Sequence, residues 1–317
     1  MSTSVWLVMV FFVAGYVAPF ALTRARWPSR SPRLGVAAWL VLAATSASTA
    51  VLGVGTLAIP VVVGGHGLAD WWHACLREVR HYYGDTSPVA VGLAAALTVI
   101  MLAKLVYSVI SYRREVVGVR RLQHAGLSLL RVAGPLNIVV IPHPVPAAYC
   151  VPGRPGRVVM TDSAIEALGS DQVAAVVAHE RAHLAGRHSA LVGVATVLQR
   201  AFGRLAPVFR HATRETAALV EMVADDAAVA MCPGPRVAEA LVTLAQGPAT
   251  RAALGASGSD TVRRIRRLTV PQRPLGRVSK LATVLSLCLS LIMPIVTVAG
   301  PMTAGVIAST CAHPNHG

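Results

Sequence analysis

The sequence predicts an α-helical multi-pass membrane protein of four spans, with an α+β domain carrying a metal site set between the third and fourth. Three observations lead there. The 317-residue chain is 54% hydrophobic and only 14% charged, with a mean hydropathy of +0.59, far from the make-up of a water-soluble globule. Four stretches almost free of charge reach bilayer-crossing length. Between the last two lies the run Asp171 to His188, in which two histidines and a glutamate stand at helical spacing.

The first span is Val5 to Thr23, about 20 residues without a charge. Its arginines, Arg24, Arg26, Arg30 and Arg33, follow the apolar run, whereas a cleaved signal peptide carries its positive charge ahead of it. The N-terminus is therefore expected outside. Leu34 to Gly65 forms the second span, with Pro60 as a kink or end, and Ser87 to Tyr112 the third, where Lys104 snorkels toward the interface beside Tyr107 and Tyr112. Leu281 to about Gly300 forms the fourth. The loop after span one carries four arginines, while that from His66 to Pro88 has more acids than bases. The positive-inside rule then puts both termini outside a plasma membrane and the metal domain in the cytoplasm. Residues 1–112 form the three-span region, 113–279 the cytoplasmic domain, and 280–317 the fourth span with a short outer tail.

Within the second loop, Leu68, Trp71, Trp72, Cys75, Leu76, Val79, Tyr82 and Tyr83 repeat at helical spacing, which predicts an interfacial helix over 66–86 on the outer leaflet. Five cysteines are too few for a disulfide framework. Cys150 and Cys232 fall in the cytoplasmic domain and Cys288 in a span, so only Cys75 and Cys311 face a compartment where a disulfide persists, one that would clip the tail to the outer helix. His313 and His316 read as part of a disordered tail.

In the domain, Asn137 to Ile141, Ala147 to Val151 and Arg157 to Thr161 read as strands separated by prolines. Ser189 to Phe209 is apolar with Arg200, Arg204 and Arg210 at intervals; such spacing is costly in hydrocarbon, so the segment is expected to skim the membrane or cover the cleft without crossing. A further helix follows over Pro235 to Ala245, then a Gly/Ser/Ala-rich stretch to Asp260. The cluster Arg263, Arg264, Arg266 and Arg267 is expected to face anionic lipid. The net charge of +15 has the same origin; no nucleic-acid motif accompanies it, so no direct nucleic-acid partner is expected.

The metal site is the sharpest feature. Ser170 and Asp171 supply an N-terminal cap, VAAVVA contains no breaker, and Gly186 stops the helix. His179 and His183 then project from one face a turn apart, while Glu180 lies about 100° around the helix, where it reaches an attacking water without being a ligand. This is HExxH, with Zn²⁺ as the expected cofactor. A third ligand is needed. The extension HExxHxxGxxH fails, because position 189 is Ser189 and His188 falls one residue short. The alternative is a glutamate on a second helix: EMVADDAAVAM offers Glu221, with Asp225 one turn later to accept the outer N–H of a ligand histidine and Asp226 as the neighbouring candidate. These acids sit among Ala, Val and Met in a chain with 14 acidic residues in all, and carboxylates in such company need partners. Tyr149, His188 and His211 are the candidates for stabilising the oxyanion.

HERAHLAGRH followed by EMVADD, with VPGRPGRVVMT before and TVRRIRRL after, resembles the BlaR/MecR class of membrane zinc metallopeptidases and, more distantly, the HtpX-type membrane proteases, both gluzincins. The resemblance covers about Asn137 to Leu268. It implies a gluzincin-type α+β protease domain, an edge strand near Val158 to Met160 for pairing an extended substrate, and cleavage of a cytoplasmic BlaI/MecI-like repressor in answer to an outside signal. BlaR/MecR proteins carry a penicillin-binding sensor domain after the last span; here fewer than twenty residues follow Gly300, so β-lactam sensing by the chain itself is not expected. An HtpX-like quality-control protease and a non-catalytic zinc-containing transducer are the alternatives. Besides the substrate and the bilayer, a homo-oligomeric partner copy is open.

Overall fold

The structure is a computed structural model and describes residues 3–58, 88–129, 138–153, 155–245, 260–270 and 273–311. The expected helix at 66–86, the Cys75–Cys311 bond and the histidines of the tail lie outside them.

The first apolar stretch is helical from end to end: α1 (Thr3–Phe12), a π turn (Val13–Val17) and α2 (Ala18–Arg24). Pro19 explains the widened turn, since it has no N–H to return to the carbonyl of Gly15. After the short α3 (Trp27–Arg30) come α4 (Pro32–Ala58) and α5 (Pro88–Leu129). The last helix, α12, is Arg277–Cys311. Four segments are long and apolar enough to cross a membrane: Val5–Arg24, Pro32–Leu57, Val89–Gly126 and Arg277–Val298. Their outer faces carry large apolar side chains such as Leu93, Leu97, Ile100, Leu285, Leu289 and Ile292, the surface that lipid requires. Helix α5 does not end at Tyr112. It runs on for 42 residues, roughly 63 Å, and delivers Glu115, Arg120 and His124 to the domain.

The sheet contains β1 (Ile138–Ile141), β2 (Ala148–Val151) and β3 (Arg157–Thr161) in the order β1-β3-β2. β1 lies parallel to β3, with Ile138 opposite Val158, and β2 antiparallel to it, with Cys150 opposite Val158. The Val158–Met160 strand is therefore central, not the expected edge. The physical reason is visible in its sequence: RVVMT is buried at four successive positions, as a strand covered on both faces must be. The edges of the sheet belong to β1 and β2.

Helices α6 (Asp162–Ala167), α7 (Ser170–Ala185), α8 (His188–Phe202), α9 (Val208–Val229), α10 (Gly234–Leu244) and α11 (residues 260–269) complete the domain. Val176 and Val177 of α7 pack on Ile138, Val158 and Met160, which seats the HExxH helix on the sheet. Helices α8 and α9 form a hairpin against the spans, where Phe202, Phe209, Leu219 and Met222 share one core with Val36, Trp39 and Ala43 of α4. The turn between them meets the first span: Tyr16 Oη donates to the Leu205 carbonyl at 2.5 Å, and a Cβ on Gly15 would sit 3.0 Å from that of Ala206. Ser189 to Phe209 thus forms a turn between α8 and α9, both of which pack on the apolar helices.

Candidate metal centre

Helix α7 begins one residue earlier than its sequence signals suggested. Gly169 is the N-cap, its N–H donating to Gln172 Oε1 at 3.0 Å, and Asp171 is held by Arg236 at 2.9 Å. Thus fixed, α7 presents His179 and His183 toward α9, which brings Glu221 across from them. The Nε2 atoms of the two histidines are 3.2 Å apart; His179 Nε2 is 3.5 Å from Glu221 Oε2 and His183 Nε2 is 3.5 Å from Oε1. A tetrahedral zinc bound at about 2.05 Å to each ligand sets them about 3.3 Å apart. Two imidazole nitrogens and a carboxylate oxygen at this spacing fit that ion in both geometry and chemistry.

The outer nitrogens are equally placed. His179 Nδ1 lies 3.2 Å from Asp225 Oδ1, and Asp225 is 1% exposed. His183 Nδ1 lies 3.0 Å from His188 Nδ1. Behind the carboxylates stands Arg264: Nε and Nη2 donate to Asp225 at 2.9 and 2.7 Å, and Nη1 reaches Glu221 Oε2 at 3.0 Å. Sequence reading sent this arginine to the lipid surface. It belongs to the site, and its neighbours follow suit: Arg263 pairs with Glu215 at 3.0 Å, and Arg267 with Asp226 at 2.6 Å. Asp226 is thereby placed away from the histidines.

These contacts set the protonation states of the metal-free protein. Burial pulls the His179 pKa down, yet the hydrogen bond it donates to Asp225, then that to Glu221, outweighs this and raises it to about 9. Burial, opposed by the Glu221 charge and aided by that of His179, leaves His183 lowered to about 4. Glu221 and Asp225 are both held down at about 2: burial works against this, and the bonds from His179 to Glu221 and from Arg264 to Asp225 prevail. Glu180 moves the other way, raised chiefly by burial.

Glu180 faces a cavity of about 250 Å³ shared with His179, Glu221 and Arg264 and walled by apolar residues, among them Val176, Val237, Leu241 and Leu244. Pro146, Ala147 and Ala148, leading into the free edge of β2, form part of its rim. From that strand the Cys150 thiol donates to Glu180, and burial followed by this carboxylate pushes the thiol up to about 12. Tyr149, the next residue along the strand, is on the opposite side of the pleat and exposed. His211 stacks on Trp39 at 6.3 Å between ring centres.

The sequence model of peptidase family M48 matches residues 114–272, half of the chain, opening just past Tyr112 and closing before the last span. The chain belongs to peptidase family M48. Members are zinc metallopeptidases, and the protein is accordingly a peptide-bond hydrolase. No curated protein and no solved structure matches the chain. The M48 domain contains both helices of the candidate centre and Arg264. Sequence reasoning missed that arginine although a signal existed: carboxylates amid apolar residues called for a cation, and α9 offers none of its own between Glu221 and Met231.

Proposed function

We propose that the protein is a membrane zinc metalloendopeptidase whose active centre faces the cytoplasm, with His179, His183 and Glu221 holding the ion, Glu180 as general base and Asp225 orienting His179. The observation that carries this reading is the triangle of two Nε2 atoms and one carboxylate at 3.2 to 3.5 Å, beside a half-buried glutamate that is not part of it and faces the same cavity. When bound, zinc polarises the scissile carbonyl and makes water a nucleophile near neutral pH. The chain supplies the rest. Glu180, kept basic enough by burial, takes the proton of the attacking water and hands it to the leaving amine. Arg264 holds the Asp225 and Glu221 carboxylates in place. The apolar wall next to Glu180 excludes bulk water and accepts an apolar side chain of the substrate.

The cytoplasmic side is supported by the arginine loop: Arg267 Nε donates to the Ser29 carbonyl at 2.9 Å, which ties the domain to the segment that the positive-inside rule retains inside. The substrate proposed is a cytoplasmic protein, a BlaI/MecI-like repressor, on the strength of the sequence resemblance. A second reading, an HtpX-like protease acting on damaged membrane proteins, draws support from the packing of α9 directly on α4, which sets the centre close to the spans.

The test is Glu180→Gln. Purified protein should retain zinc while peptide-bond cleavage falls by roughly 10²–10⁴-fold; unchanged cleavage removes Glu180 from the mechanism. Comparing the cytoplasmic and membrane proteins cut in cells carrying the native and Glu180→Gln chains separates the two substrates. One small DNA-binding protein lost only with the native chain supports the repressor reading, and many membrane proteins support the other.

A further inference from the structure

We infer that His188 is a positioning residue for the second ligand histidine, accepting the Nδ1 proton of His183 so that His183 Nε2 stays free for the metal; this rests on the metal centre proposed above. A histidine that ligates through Nε2 carries its proton on Nδ1, and that N–H needs an acceptor to fix tautomer and ring plane. For His179 the acceptor is Asp225. For His183 the atom within reach is Nδ1 of His188, at 3.0 Å, with the two rings nearly perpendicular at 84° and their centres 4.8 Å apart. A neutral imidazole has one bare nitrogen to accept with, and here it is Nδ1 that faces His183.

Three features of the local chain exist to bring that ring in. His188 is only 4% exposed, although its neighbours Arg187 and Ser189 are exposed. Arg187, at φ 48°, is the one non-glycine residue with positive φ among the described residues, and it makes the reversal that lets α8 start with its first side chain folded back over α7. Gly186 clears the space: a Cβ there would run into Nε2 and Cδ2 of the His188 ring. A strained residue, a glycine and a buried imidazole at three successive positions all serve one contact. Its neutral acceptor also distinguishes the two ligands, since His179 leans on a carboxylate and His183 on an uncharged ring.

The experiment uses the full-length protein in detergent, stripped of metal and titrated with zinc against a competing chelator. His188→Leu fills the site without an acceptor. His188→Asn puts an amide oxygen where Nδ1 was. Gly186→Ala leaves His188 intact and displaces its ring. We expect His188→Leu and Gly186→Ala to weaken zinc binding 10- to 100-fold, and His188→Asn to recover most of the loss. The visible bands of the cobalt-loaded protein should shift in the first two and return in the third. Far-ultraviolet circular dichroism of the metal-free forms checks that each is folded. Native affinity in His188→Leu or in Gly186→Ala overturns the inference, as does an Asn variant no better than Leu. His183→Ala is the control: it must lose zinc by itself, and if it does not, the metal centre falls and His188 with it.

Discussion

At the scale of single residues, the site divides into what spacing reveals and what only tertiary contact reveals. His179, Glu180 and His183 were legible because helical geometry converts i, i+4 spacing into proximity. Arg264 was not, since its pairing with Asp225 spans 39 positions and joins two helices whose approach no local pattern encodes. Its importance is testable. Arg264→Leu strips the cation from Asp225, which is almost wholly buried, and from Glu221; losing one partner of such a network costs about 3 kcal/mol or more. Bound zinc restores positive charge beside the same carboxylates, so the melting temperature should fall further in chelator than in zinc. Equal falls in both would remove Arg264 from the centre. The protonation states yield a second expectation. With His179 near 9, His183 near 4 and Glu221 near 2, only His179 holds a proton at pH 7 that zinc must displace. Because the His179 pKa is raised in the metal-free protein, acid opposes binding, and apparent affinity should climb with pH until about 9. Titration calorimetry in buffers of different ionisation enthalpy should find about one proton released at pH 7. Release of two would mean that His183 is protonated as well.

At the scale of elements, the helices were readable and their partners were not. The zinc helix and all three strands are where periodicity and breakers put them, to within a residue or two at each end. Strand order escaped because β2 and β3 form a short-linked antiparallel pair while β1 joins from the other side, and sequence fixes pairing only where turn chemistry is specific. The hairpin of α8 and α9 was only half visible: its arginines argued against crossing, but the fit of its apolar face to α4 depends on small residues in the facing helix. Gly35 is the clearest. A Cβ there would lie 2.9 Å from Leu219 Cδ1 and 3.0 Å from Pro28 Cβ, so α4 and α9 approach at a point with no room for a side chain. Leu219 is two residues from Glu221. Gly35→Val should therefore push α9 outward, weakening zinc binding several-fold as well as lowering the melting temperature, whereas Gly92→Val, on α5 with nothing within 4 Å, should do neither. A Gly35 variant that melts lower with native zinc affinity would show that the span contact supports the fold alone.

At the scale of the whole molecule, the question is how one polypeptide places a water-consuming centre beside a bilayer. Core residues answer it: Trp39 of a span, Phe202 and Phe209 of the hairpin and Met222 next to Glu221 are fully buried in one cluster, so the centre and the spans are a single packed unit. Such a unit has one orientation, and the arginines bound its choice. Arg24, Arg26, Arg30 and Arg33 stand at the end of the first span, Arg267 hydrogen-bonds to Ser29 between them, and Arg277 and Lys280 open the last helix. Were this face outside, positive charges from two loops would have crossed the membrane against their bias. An epitope inserted between Ala245 and Asp260, at Gly255 to Gly258, reports the side directly. It should be digested by added protease in inside-out vesicles and protected in intact cells until the membrane is opened. Digestion in intact cells would reverse the orientation and place substrate encounter on the outer surface, with a cytoplasmic repressor then out of reach.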